Sequence, residues 1–211
     1  MNTLPAIITV LIPQRPSRFD AVTISLHWLT VLLLVGLFAS AWSLGVATDG
    51  QAAGRLLTIH RSFGAAALVV ALCRLGWRAG FASRPPLPTS LSSLQRRAAA
   101  VTEVGLYALL LIQPLTGLAQ SLARGRPFQV FAFDVPKLMA RDKPLATSLH
   151  QIHELGAWLL LGLIGLHVCA ALAHRFVLRD AVLQSMLPWP QRAQRPEKMR
   201  AAGNKRRRWP V

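Results

Sequence analysis

His153 and His167 stand fourteen residues apart in one long apolar stretch of this 211-residue chain. On a helix, fourteen steps of about 100° leave the two rings roughly 40° apart around the axis, and about 1.5 Å per residue sets them roughly 21 Å apart along it. One face of one helix thus presents an imidazole near each side of a hydrocarbon layer about 30 Å thick. Ionisable side chains at such depth are costly and mark function. His27 and His60 fall in two other apolar stretches. A porphyrin iron takes one axial ligand on each face, and neutral imidazole serves both of its oxidation states. Four histidines able to meet at two heights therefore point to two bis-histidine b haems stacked across a bilayer.

The elements that must position them are legible as apolar runs over about 21–46, 56–79, 98–123 and 149–178, each long enough to cross a membrane. With 53% hydrophobic and only 15% charged residues, against about a quarter charged in a soluble domain, the chain reads as all-α, an integral membrane four-helix bundle. The expected helices run from Ala21 to about Val46, Leu56 to Trp77, Ala98 to Leu122 and Ser148 to Leu178. Residues 1–19 are expected to form a cytoplasmic arm, 20–188 the membrane domain and 189–211 a basic cytoplasmic tail. Arg84-Pro85-Pro86-Leu87-Pro88 is a stiff connector. Phe128, Val130, Phe131 and Phe133 suggest an element lying on the outer membrane surface. Pro114 and Gly117 are expected to kink the third helix or admit a neighbour.

A net charge of +16 would suit a nucleic-acid binder, but its distribution argues for topology. Arg15, Arg18, the segment from Arg74 to Arg97, and the chain from Arg175 onward hold seventeen of the 24 Lys and Arg residues. The positive-inside rule then places both termini in the cytoplasm, N-in/C-in. That topology sets the depths: His27 and His167 lie toward the inside, His60 and His153 toward the outside. The two matched pairs would be the iron ligands of an inner and an outer haem.

Propionates on such haems need cationic partners in a medium of low dielectric. Arg61, and Arg55 beyond it, suit the outer haem; Arg74, Arg78 and Arg18 suit the inner one. Gly36, Gly64, Gly117 and Gly162 could let macrocycles or helices approach. His150 falls about 100° off the shared face and should look to the outer interface, while His174 should lie at the inner one. Cys73 and Cys169 belong to no C-x-x-C-H pattern, so any haem is held non-covalently, and both read as small packing residues. A metal-ion transporter would want carboxylates beside the histidines at the midplane, and Glu154 at the rim is the only acid near them.

The runs Arg18-Phe-Asp-Ala-Val-Thr-Ile-Ser-Leu-His27-Trp28, Ile59-His60-Arg61-Ser62-Phe63-Gly64, Tyr107 to Pro114-Leu-Thr-Gly117, His153-Glu154, Gly165-Leu-His167 to Ala173-His174-Arg175, and Met186-Leu-Pro188 resemble the bacterial cytochrome b561 family. The resemblance covers about residues 17–188 and includes all four proposed ligands in order. It implies a four-helix, inner-membrane, di-haem protein that passes electrons between a donor and the quinone pool. Some members are thought to oxidise superoxide at the outer face and reduce ubiquinone. One departure is Glu103, where the family often has a histidine; here it is expected to pair with Arg96 or Arg97.

The function expected is transmembrane electron transfer from an extracytoplasmic one-electron donor, superoxide or a redox protein, to ubiquinone. The connection before the last helix carries Arg124, Arg126, Lys137, Arg141 and Lys143 against Asp134 and Asp142, a field that attracts anions. An alternative makes the chain a cytochrome b subunit of a larger membrane dehydrogenase or hydrogenase complex. A third reading, a non-redox protein whose polybasic tail binds anionic lipid or nucleic acid, leaves the histidine pattern unexplained. The tail's position suits anionic headgroups, but a plain topology signal accounts for it; membrane lipid is an expected partner and nucleic acid is not.

Overall fold

The computed structural model describes residues 18–83, 85 and 91–188. The expected arm, except for Arg18 and Phe19, the expected basic tail and most of the proline connector lie outside the described residues. Four long helices carry the fold: α1 (Ala21–Val46), α2 (Gly50–Gly80), α3 (Ser93–Ala123) and α4 (Lys143–Phe176). A hairpin of β1 (Phe128–Val130) and β2 (Phe133–Val135) occupies the connection before α4, and one turn of helix, α5 (Val182–Ser185), follows it. Among the described residues, all four long helices are long and apolar enough to cross a membrane.

Three of the four helices start about a turn or more before their apolar runs, because polar caps extend them. The Asp49 carboxylate accepts from the backbone N–H groups of Gln51 (3.2 Å) and Ala52 (2.9 Å), so α2 begins at Gly50 rather than Leu56. Ser92 and Gln95 form a reciprocal capping box that starts α3 at Ser93 rather than Ala98. Asp142 accepts from Leu145 N–H at 3.0 Å and starts α4 at Lys143 rather than Ser148. Such groups would otherwise be orphan donors, and each cap contributes about 1 kcal/mol. The element expected at the outer surface is an antiparallel hairpin pairing Phe128 with Val135 and Val130 with Phe133. Its turn holds Phe131 in the left-handed region (φ 53°), and the Phe131 N–H donates to Ser62 Oγ at 2.5 Å.

α1 packs along α2, α2 along α3 and α3 along α4, whereas α4 makes no comparable contact with α1 or α2. Close approach depends on small residues. A Cβ added to Gly36 would lie 2.3 Å from the Phe63 ring, so this glycine seats α2 against α1. At Gly64 and Gly162 an added Cβ would meet no neighbour nearer than 4.0 Å, and close packing is not their role. Leu32, Val35, Leu155 and Trp158 are exposed, as expected where lipid is as apolar as the interior. Cys73 and Cys169 are free and also exposed, facing the surroundings instead of packing inside.

At the end where α1 begins, one carboxylate ties three segments together. Asp20 caps α1 through Thr23 N–H and Thr23 Oγ1 (both 2.8 Å) and accepts from Trp77 Nε1 (3.0 Å) and Ser83 N–H (3.2 Å). Arg18 donates to the Leu187 carbonyl, Phe19 N–H to the Ser185 carbonyl (3.3 Å) and Trp28 Nε1 to the Met186 carbonyl (2.9 Å), strapping the segment after α4 across α1.

Burial pushes the Asp20 carboxyl upward, but the hydrogen bonds from Thr23, Trp77 and Ser83 outweigh it and hold it at about 2, below the ordinary 3.8. A depressed carboxylate stabilises the fold fully above its unfolded value and loses that contribution as pH falls through the folded one. Asp20→Asn should therefore lower Tm near neutrality, and the gap between wild type and variant should narrow from about pH 4 toward 2 in thermal unfolding scans. At Gly36, Gly36→Ala should destabilise by roughly 1–3 kcal/mol through overpacking, with recovery in Gly36→Ala/Phe63→Leu measured as a double-mutant cycle.

Candidate functional site: two histidine pairs

The bundle brings the four sequence-predicted histidines together two by two. His27 of α1 faces His167 of α4 with ring centroids 6.3 Å apart and planes inclined at 59°. His60 of α2 faces His153 of α4 at 6.2 Å and 80°. His27, His60 and His153 are half-buried, and His167 is exposed. An imidazole–metal bond of about 2 Å, plus about 1.1 Å from ring nitrogen to ring centre, sets two rings on opposite faces of one ion about 6 Å apart. Each pair can therefore hold one metal ion between its imidazoles. Among the described residues no three of His, Cys, Asp and Glu gather into a cluster. The donor set is two imidazoles each time, which suits an iron already held equatorially by a macrocycle and not a bare ion seeking four or six protein ligands.

The His60–His153 pair is held by one construction used twice. His60 Nδ1 lies 3.2 Å from the Leu37 carbonyl and 3.0 Å from Ser40 Oγ, and that hydroxyl itself donates to Leu37 at 2.9 Å. His153 Nδ1 lies 3.1 Å from the Gln113 carbonyl and 3.1 Å from Thr116 Oγ1, which donates to Gln113 at 2.9 Å. A carbonyl only accepts, so Nδ1 of each ring carries the proton and Nε2 keeps its lone pair for a metal. Gln113 grips the same residue again, its Nε2 donating to the His153 carbonyl at 3.0 Å. Gly117 completes the cradle: a Cβ there would stand 3.1 Å from His153 Cε1. Ser40, Gln113 and Thr116 were not singled out by sequence; the signal available was a polar side chain, two of them buried, inside an apolar run.

Cations flank both pairs, each with its own anchor. Arg61 donates from Nε to Ser121 Oγ at 3.1 Å, and its guanidinium lies 4.9 Å over the Phe128 ring of the hairpin. Arg74 donates to Thr30 Oγ1 at 3.1 Å, lies 5.3 Å over Tyr107, and is within electrostatic reach of both His27 and His167. Glu103 pairs with Arg78, not with Arg96 or Arg97: both side chains project from the same end of adjacent helices, α2 and α3, and meet beside Tyr107. His174 is engaged by Asp180 at 2.6 Å. Burial raises the Asp180 carboxyl, but the His174 and Val182 hydrogen bonds prevail and hold it below the usual carboxylate range.

Comparison with known proteins gives the family. A family model described as Prokaryotic cytochrome b561 matches residues 18–189. The chain is 30% identical over 176 residues to "Cytochrome b561 homolog 2" of Escherichia coli (strain K12), covering 82% of this chain and 93% of that protein. It is also 30% identical over 171 residues to "Probable superoxide oxidase CybB" of Yersinia pestis, covering 81% and 96% respectively. "Cytochrome b561 homolog 1" of Escherichia coli is 27% identical over 173 residues, 82% of this chain and 98% of that protein. With four membrane-length helices, imidazoles paired between them and a family match across the described residues, the chain belongs to the prokaryotic cytochrome b561 family, multi-pass bacterial membrane proteins that bind haem b and carry electrons.

Proposed function

We propose that the protein moves single electrons across the bacterial inner membrane through two b haems, from superoxide at the extracytoplasmic face to ubiquinone. His60 and His153 are the ligands of the outer haem, His27 and His167 those of the inner one. The observation that carries this reading is the presence of two imidazole pairs at 6.2 and 6.3 Å, joined by one shared helix. The orientation rests on charge, with the Lys and Arg excess on the side of both termini.

Haem, when bound, supplies the one-electron carrier; the chain's own residues decide where it sits and what reaches it. The Leu37 and Gln113 carbonyls fix the tautomer of the outer imidazoles and raise their basicity toward iron. Arg61 and Arg74 place positive charge beside the outer and inner pairs, suited to propionates, and favour the reduced state of each centre. The hairpin, pinned by Phe131 N–H to Ser62 and by Phe128 under Arg61, covers the α2 end next to His60 and limits water there. The positive outer connection favours an anionic one-electron donor, and a relative named as a probable superoxide oxidase supports superoxide as that donor.

Haem extracted from pure protein should give two b haems per chain, His153→Ala or His167→Ala about one each, and the double variant none. Unchanged absorbance in the double variant would refute the ligand assignment. Thr116→Val should retain both haems while raising the midpoint potential of the outer one alone, because a weaker Nδ1 bond makes a poorer donor of Nε2. Stopped-flow mixing with superoxide should reduce the haems at a rate that falls with ionic strength, and added ubiquinone should reoxidise them; an uncharged donor reacting faster than superoxide would count against the assignment.

A further inference from the structure

The end of the molecule carrying His153 also carries a recess that gathers part of the positive charge of the connection before α4. It is an open hollow of about 180 Å³ between the end of α3 and the start of α4, lined by Gln120, Arg124, Arg141, Lys143, Thr147 and His150 among others. The backbone forces these cations together. Asp142 N–H donates to the Ala123 carbonyl at 3.0 Å, joining the two ends of the connection. Gly125 adopts φ +62°, and a Cβ there would stand 2.5 Å from Arg141 N, so the two backbones touch at that point. Arg124 and Arg141 are thereby held as neighbours, with Lys143 next in line.

Such crowding of like charge is unfavourable unless an anion offsets it. The acids nearest in sequence are committed elsewhere. The Asp142 carboxylate caps α4 through Leu145 N–H, and Asp134 accepts from Gln129 Nε2 at 2.8 Å. Among the described residues, no Asp or Glu lines the recess. Its polar equipment is three permanent cations, one imidazole, one amide and one hydroxyl. That set matches a group with several oxygen acceptors and more than one negative charge. A diatomic anion would engage few of these donors. The recess adjoins the outer pair, since Arg124 bears electrostatically on Arg61 and His150 on His153.

We propose that this recess binds a phosphate-type oxyanion, as free phosphate or as the headgroup of an anionic lipid, and that its occupant competes with an anionic donor for the outer haem. The competition rests on the electron path proposed above; the binding does not. The full chain in nanodiscs of phosphatidylcholine should bind radiolabelled inorganic phosphate saturably, one per chain, at constant ionic strength. Arg141→Gln/Lys143→Gln should weaken that binding about tenfold or more, as loss of charge-assisted bonds requires, and Arg124→Gln should act in the same direction. Phosphatidylglycerol added to the nanodisc identifies the source: displacement of phosphate assigns the recess to lipid as well, and no displacement assigns it to the free ion. Absence of saturable binding, or equal binding by wild type and both variants, would overturn the proposal. In stopped-flow work at constant ionic strength, phosphate should slow reduction by superoxide in wild type but not in the double variant. Equal slowing in both would overturn the competition. If superoxide fails to reduce the protein while phosphate still binds, the electron path falls and the anion site stands.

Discussion

A neutral imidazole in a hydrocarbon medium must settle one ring nitrogen before the other can coordinate anything, because no water is present to take the spare N–H. The His60–His153 pair solves this with backbone carbonyls that belong to other helices, Leu37 on α1 for His60 and Gln113 on α3 for His153. Each carbonyl is already bonded within its own helix, so it is fixed in direction. Each is joined by a hydroxyl three residues further on, Ser40 or Thr116, that serves carbonyl and imidazole at once. The order of helix packing follows from these bonds as much as from shape: α1 against α2 through Gly36 and His60, α3 against α4 through Gly117 and His153. The paired rings then bridge across from α4 to α1 and α2, where the helices themselves do not pack.

The two ends of the bundle are built differently. At the hairpin end the imidazoles are gripped by main chain and the surrounding cations are gathered by loops. At the other end the grip is on the segments around the pair: Asp20 joins α1 to α2 and to Ser83, while Arg18, Phe19 and Trp28 hold the chain after α4. Arg74 and Arg78 share the face of Tyr107, and Glu103 offsets one of them. One positive charge, on Arg74, remains directed at the His27–His167 pair.

How much of this was legible in the sequence depended on range. Histidine faces follow from helical periodicity alone, and opposed runs of spans set their heights, so the pairing of His27 with His167 and of His60 with His153 could be read without coordinates. Helix starts could not be read from hydropathy, because Asp49, Ser92 and Asp142 extend helices into polar residues that hydropathy ignores. The hairpin was missed because three-residue strands carry too little alternation to separate from a surface-lying segment. Glu103 was matched to arginines near it in sequence, whereas its partner Arg78 comes from a different helix. Ser40 and Thr116 gain their meaning only when a second helix brings a ring nitrogen beside them.

α4 contributes a ring to both pairs, and it is the last long helix of the described chain. During synthesis, three spans can enter the bilayer and pack in sequence while His27 and His60 still lack their counterparts. Neither couple exists until translation reaches the final span, where residue 153 comes first and residue 167 follows. A chain that stops before residue 153 therefore holds His27 and His60 without their counterparts, and one that stops between 153 and 167 completes the His60–His153 couple alone.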